Sequence, residues 1–165
     1  AHRILQQTLP HARLILAPRH PERRDSVAKL VRDAGYTPRL RSRGETASGD
    51  RDILILDTLG ELAHYYRISD LAFIGGSLIA RGGHNPLEAL HAGIPVTSMY
   101  NFQHIRDRLV REPFARELAD NRPETLAAAL LALHAAPHSA AIRACMSGYE
   151  NIVAAHLRHL EDHIK

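Results

Sequence analysis

The fold is decided at residues 75–88, which read Gly75-Gly76-Ser77 and, after three intervening residues, Arg81-Gly82-Gly83-His84-Asn85-Pro86-Leu87-Glu88. The apolar run before them predicts a buried strand, and the apolar positions after Pro86 predict the packed face of a helix. Glycines at such a turn let the backbone take positive φ angles and approach a ligand closely. The N–H groups of the first helical turn favour a bound anion. The stretch therefore predicts a cradle for a phosphate and a ribose.

Strands and helices alternate on both sides of this stretch. The apolar runs predict five strands, at residues 14–17, 37–41, 53–56, 71–74 and 94–96, with helices between them. Because crossovers between parallel strands are right-handed, we expect an α/β fold, a Rossmann-like open parallel sheet with helices on both faces. After residue 103 the pattern predicts helices over 105–118, 123–134 and from 139 to near the carboxyl terminus.

The length and composition suit one globular domain over residues 1–165, since 45% of the residues are hydrophobic. Cys145 is the only cysteine, which excludes an intrachain disulfide and favours a reducing compartment. No apolar run reaches the roughly 18 residues that span a bilayer. The chain begins with Ala1 rather than Met, and we expect it to be one domain of a longer protein.

The basic character of the chain is almost entirely arginine. The net charge is +3, the isoelectric point is about 9.4, and only Lys29 and Lys165 are lysines. Arginine favours forked contacts with phosphate or carboxylate groups. The arginines are dispersed and aromatic residues make up only 5% of the chain, which argues against a nucleic-acid surface. An anionic small molecule or a lipid surface is the expected partner.

Three loops are predicted to meet at the carboxyl ends of the strands, where open parallel sheets bind ligands. They are Pro18–Arg23, Asp57–Leu62 and the glycine stretch. Each also has a purely structural interpretation. Arg19 is explained equally by a surface ion pair, Asp57 or Thr58 by a helix N-cap, and Asn85 with Glu88 by a capping box. Glu88 would alternatively accept hydrogen bonds from both ribose hydroxyls.

Twelve histidines raise the question of a metal site. His156, His159 and His163 have helical spacing, but no acidic or cysteine set matches them, and a solvated helix face explains them better. We therefore expect no metal. His84 differs because it lies in the glycine stretch, where it would donate to a phosphate or carboxylate, or only shape the turn.

At these three motifs, supported by Asn101-Phe102, the sequence resembles the bacterial 3-deoxy-D-manno-octulosonic acid (Kdo) transferases. The resemblance covers about the first two-thirds of the chain. It implies the carboxyl-terminal, donor-binding half of a two-domain GT-B glycosyltransferase. Such an enzyme moves Kdo from CMP-Kdo to a lipid A precursor in lipopolysaccharide synthesis, with inversion at the anomeric carbon, on the cytoplasmic face of the bacterial inner membrane.

The resemblance also assigns roles to residues. Arg19 would contact the phosphate or sugar acid, the Thr58–Leu62 loop the cytosine, Gly76 and Ser77 the phosphate, and Asn85 and Glu88 the ribose side. The substrate-binding set that it implies is Arg19, His20, Thr58, Gly60, Glu61, Leu62, Gly76, Ser77, Gly83, His84, Asn85 and Glu88. No cofactor is expected beyond the donor substrate, because CMP leaves with a single phosphate.

The family's amino-terminal half carries the membrane anchor, the acceptor site and the carboxylate base. We therefore expect no catalytic residue here, no sugar transfer by this chain alone, and membrane contact mainly through the other half. One stretch departs from the pattern: Val96-Thr97-Ser98-Met99-Tyr100 stands where members carry a Gly-Pro-His-like sequence, and Gln103-His104 replace an often acidic position. Two alternatives remain open, a GT-B enzyme that uses a UDP-sugar and a non-catalytic Rossmann module. Against the Rossmann module, this chain has no G-x-G-x-x-G motif after its first predicted strand.

Overall fold

The computed structural model describes residues 1–75, 85–98, 109 and 111–148. The chain divides into two compact units, Ala1–Tyr65 and Tyr66–Lys165. Each unit contains a three-stranded parallel sheet flanked by helices. The predicted α/β class is therefore confirmed, whereas the assignment of residues 1–165 to one domain stays a prediction.

The first unit has its strands in the order β1-β3-β2, all parallel. Its elements are α1 His2–Thr8, β1 Leu14–Leu16, a 3₁₀ turn Pro21–Arg23, α2 Arg24–Asp33, β2 Thr37–Leu40, a second 3₁₀ turn Arg41–Arg43 and β3 Asp52–Ile55. A further helix, α3 Leu62–Arg67, begins in this unit and ends in the next.

Strand β3 lies at the centre of this sheet and is buried along its whole length. After Asp52 its residues are all apolar, which suits a strand covered on both faces. Ala28 and Val31 of α2 pack on Leu40, Ile53 and Ile55. Helix α2 ends at Asp33, and Gly35, two residues later, has a φ of +83° that permits the turn that returns the chain to β2.

The second unit has the strand order β4-β5-β6, again all parallel. Its elements are β4 Ala72–Phe73, α4 Leu87–His91, β5 Val96–Ser98, β6 Ala115–Glu117, α5 Pro123–His134 and α6, described over Ser139–Gly148. The core of this unit is built around side chains that are 1% exposed or less: Ala89, Leu90, Phe114 and Ile142.

The helix predicted over residues 105–118 is present at Leu109, but the prediction was wrong for residues 111–118, where the structure describes the remainder of the range. Ala115–Glu117 form strand β6, which pairs with β5 in the register Thr97↔Arg116. Alanine, arginine and glutamate favour helices locally, but pairing with β5 decides their conformation. The predicted helix over 123–134 is confirmed with the same bounds. Within the described ranges no single helix is long and apolar enough to cross a membrane, and only α5 joined to α6, bent by 94°, reaches that length and hydropathy.

Candidate functional site

In the first unit, three connections leave the carboxyl ends of the parallel strands. They are the segment after β1, the 3₁₀ turn after β2 and the loop 57–61 after β3. Because the strands are parallel and adjacent, these connections lie at one edge of the sheet, where α/β folds bind ligands. Two of the three predicted motifs are at this edge.

Arg19 and His20 follow β1, and both are exposed. The imidazole Nδ1 of His20 lies 3.2 Å from a carboxylate oxygen of Glu22, a contact on the protein surface. Arg19 makes no hydrogen bond or ion pair with any residue that the structure describes. No described protein group therefore competes with an anion for the guanidinium donors of Arg19 at this edge.

Asp57 is not the N-cap that its position suggested, because α3 begins five residues later, at Leu62. Its side chain is fully buried and accepts hydrogen bonds from the backbone N–H of Ser42 at 2.8 Å and the Ser42 hydroxyl at 2.5 Å. Burial by itself would raise the pKa of the Asp57 carboxyl. The hydrogen bonds from Ser42, with Arg24 4.0 Å away, outweigh burial and hold that pKa below its ordinary value.

Glu61 is held from two sides. The Arg41 guanidinium donates to both carboxylate oxygens, with Nε at 3.1 and 3.2 Å and Nη2 at 2.7 Å. The hydroxyl of Thr58 donates to the same carboxylate. The hydrogen bonds from Arg41 first, and then that from Thr58, lower the pKa of Glu61. The side chains of Thr58 and Glu61, two predicted binding residues, are thus engaged with protein groups. The loop backbone is the part that these contacts leave for a ligand.

The tip of this loop is formed by Leu59 and Gly60. Gly60 has a φ of +82°, a conformation that other residues rarely adopt, so it is needed for the turn itself. The Leu59 side chain is 82% exposed. Leu62, the remaining predicted residue of the motif, is partly buried at the start of α3.

The third motif lies in the second unit and is only partly described. Gly76, Ser77, Gly83 and His84 fall outside the described residues, as do Asn101, Phe102 and the histidine series at 156–163, and their predicted roles stay predictions. The Asn85 Oδ1 accepts a hydrogen bond from the Leu87 N–H at 3.0 Å, which satisfies one donor at the start of the following helix. The N-cap position itself is held by Pro86, which has helical angles, so Asn85 lies one residue before the cap that the sequence predicted for it.

Glu88 does not complete the capping box, since it makes no hydrogen bond to Asn85, and both residues are described. Its side chain is exposed in the first turn of α4. Burial first, and then the charge of the Glu88 carboxylate, raise the pKa of the half-buried Tyr66. The structural explanation for Glu88 is therefore weaker than the sequence indicated.

Two residues that sequence reasoning missed organise the edge of the first unit. Arg41 and Ser42 contact Glu61 and Asp57, although the sequence suggested only a weak strand end and a loop there. Their position was itself a signal, because they follow β2 at its carboxyl end, the edge where the rule for parallel sheets places functional groups.

Comparison with known proteins identifies relatives of this chain. A 3-deoxy-D-manno-octulosonic acid transferase of Haemophilus influenzae is 42% identical over 113 residues, which is 67% of this chain and 26% of that protein. The transferase of the same name from Bordetella pertussis is 39% identical over 121 residues, 67% of this chain and 28% of that protein. No protein-family profile matches the chain. The resemblance to the Kdo transferases is thereby confirmed, and the chain spans about a quarter of the length of these relatives.

A solved structure has a similar fold. It is the C-terminal CMP-Kdo binding domain of WaaA from Acinetobacter baumannii, with a TM-score of 0.60 and 24% sequence identity. The match covers 93% of this chain and 92% of that domain. This likeness supports the α/β architecture over nearly the whole chain.

Proposed function

We propose that this chain, a homologue of the Kdo transferases, is the donor-binding half of such an enzyme and binds CMP-Kdo. The observation that carries the proposal is the sequence relationship, 42% identity over 113 residues to a transferase of that name. The similar fold of a domain described as binding CMP-Kdo supports it. The whole enzyme would be a GT-B glycosyltransferase that transfers Kdo to a lipid A precursor on the cytoplasmic face of the bacterial inner membrane.

Within the first unit, the chemistry of the sheet edge suits the nucleotide of this donor. Arg19 offers a charge with no described partner, and it would bind the phosphate that links CMP to Kdo. As the bond to Kdo breaks, negative charge grows on that phosphate, and the positive charge of the Arg19 guanidinium would stabilise it. The backbone of residues 58–60 would face the cytosine, because the side chains of Thr58 and Glu61 already bind each other.

The residues of the second unit are assigned separately. We assign the ribose side to Asn85 and Glu88, and the phosphate also to Gly76 and Ser77, with Gly83 and His84 nearby in sequence. Glu88 is exposed and makes no hydrogen bond to Asn85. Its carboxylate is therefore not needed at the helix start and is available for the ribose hydroxyls, which supports this assignment. We expect no metal or other cofactor, because the leaving group carries one phosphate rather than two.

The proposal is tested by removing the charge that reads the phosphate. Calorimetric titration of the chain and of Arg19→Ala with CMP and with cytidine separates the phosphate from the base. We expect Arg19→Ala to weaken CMP binding by about 1.5 to 3 kcal/mol, the range for a hydrogen bond to a charged group, and to leave cytidine binding nearly unchanged. Failure of the unmodified chain to bind CMP would overturn the proposal, and an equal loss for both ligands would show that Arg19 only organises its loop.

A further inference from the structure

The turn after β2 and the loop after β3 are joined by two contacts between different connections. Arg41 grips Glu61 with three hydrogen bonds between 2.7 and 3.2 Å. Beside it, Ser42 donates two hydrogen bonds to the buried carboxylate of Asp57. The two contacts hold the loop 57–61 at its first and last residues. Asp57 lies 15 positions after Ser42, and Glu61 lies 20 positions after Arg41.

The turn that supplies Arg41 is itself fixed. The Leu40 N–H donates to the Glu45 carboxylate at 2.8 Å, and the Gly44 N–H donates to the Arg41 carbonyl at 2.9 Å. Leu40 also pairs with Ile55 in the sheet and is buried. Arg41 therefore projects from a rigid base, and its planar fork transmits that rigidity to Glu61.

The loop has little else to hold its tip. Residues 56–61 lie outside helix and strand, and the one large apolar side chain at the tip, Leu59, is 82% exposed. Packing against a core is therefore not what orders Leu59 and Gly60. Their backbone depends on the anchors at Asp57 and Glu61.

A fixed backbone matters for telling the two pyrimidines apart. Cytosine presents an amino donor where uracil presents a carbonyl acceptor, and the neighbouring ring nitrogen changes from acceptor to donor. A rigid pair of backbone groups that hydrogen-bonds to cytosine would leave polar groups unpaired with uracil. A flexible loop would instead reorient its backbone groups to bind either base.

We propose that Arg41 is a positioning residue, whose forked contact with Glu61 fixes the backbone of residues 58–60 in the arrangement that selects cytosine over uracil. The inference rests on the proposed function, since it presupposes that the chain binds CMP. It adds that base selectivity is set by a side chain that does not touch the base. Lysine cannot replace Arg41, because an ammonium group keeps the charge but not the fork.

The test compares Arg41→Lys and Arg41→Ala with the unmodified chain, with binding of CMP, UMP and ribose 5-phosphate measured by calorimetry. We expect both variants to lose about tenfold in the ratio of CMP to UMP affinity, an effect of the size seen for coupled neighbours. Ribose 5-phosphate has no base, and its affinity should not change. The matched control is Arg43→Ala, which removes an exposed arginine from the same turn and should keep the ratio.

The outcomes separate the inference from the function on which it rests. If the unmodified chain binds CMP no better than UMP, the proposed function and this inference both fail. If the chain prefers CMP and Arg41→Lys retains the full preference, the inference alone is overturned. A parallel loss for all three ligands also overturns it, because it indicates a general weakening of the fold rather than altered base selection.

Discussion

For Glu88, the structure weakens the capping-box explanation relative to ribose binding. A glutamate three positions after a helix cap commonly hydrogen-bonds the cap residue, but Glu88 is exposed and makes no bond to Asn85. If the carboxylate binds the ribose hydroxyls, Glu88→Gln should weaken CMP binding by about 1 to 2 kcal/mol. The melting temperature should move little, because the cap bond from Leu87 to Asn85 remains.

The matched control for this change is Glu124→Gln, which removes the same charge from the first turn of α5. That variant should bind CMP as the unmodified chain does. The ribose itself supplies the decisive comparison. Should the unmodified chain bind 2′,3′-dideoxy-CMP as tightly as CMP, the hydroxyls contribute nothing and Glu88 is removed from the site.

The loop 57–61 carries a prediction about stability and pH. Ser42→Ala removes the hydroxyl that donates to the buried Asp57 and should cost about 1.5 to 3 kcal/mol of unfolding free energy near pH 7. The pKa of Asp57 is lower in the folded chain than its ordinary value. Its contribution is therefore complete above the unfolded pKa of about 3.9 and is lost as the pH falls through the lower folded pKa.

Urea unfolding of the unmodified chain and of Ser42→Ala at neutral and at acidic pH measures this dependence. The difference between them should be largest near neutrality and shrink as Asp57 is protonated. Ser48→Ala is the control, since the described hydrogen bonds of Ser48 come from its backbone rather than its hydroxyl. A destabilisation of Ser42→Ala that stays constant down to the lowest pH would show that the Asp57 carboxylate is not what the hydroxyl stabilises.

The elements that the sequence predicted well are those with a local signal. Strand β3 contains the apolar run Ile53–Ile55, and α5 has Pro123 in its first turn and apolar side chains at helical spacing. Strand β6 was missed because Ala115, Arg116 and Glu117 favour helices, and only β5, far away in sequence, makes them extended. Strand β5 begins two residues later than predicted, at Val96, because Pro95 has no N–H to donate to the ladder.

In the candidate site too, features with a local sequence signal were predicted, and those that depend on distant residues were not. The motifs were found because glycines, Arg19 and Asn85 carry meaning at the ends of strands and helices. The cap role suggested for Asp57 was wrong because its partner, Ser42, lies 15 residues earlier in the chain. The contact between Arg41 and Glu61, which are 20 residues apart, was not predicted either. Both contacts are tertiary and form only once β2 and β3 are adjacent.

The whole chain consists of two units with parallel sheets, and its predicted binding residues are divided between them. The first unit holds the charge of Arg19 and the clamped loop after β3. The second holds Asn85 and Glu88 at the start of α4. The binding of CMP is therefore a prediction for the residues of each unit, and it is measured separately in the two units.

CMP binding is tested most directly by a titration of the isotope-labelled chain with CMP, followed through the backbone amide signals in two-dimensional NMR spectra. We predict that the signals of residues 19–20 and 58–62 in the first unit, and those of residues 85–88 in the second, move on saturation, and that UMP moves them less at equal concentration. Signals that move only in α2 or α5 would contradict this prediction.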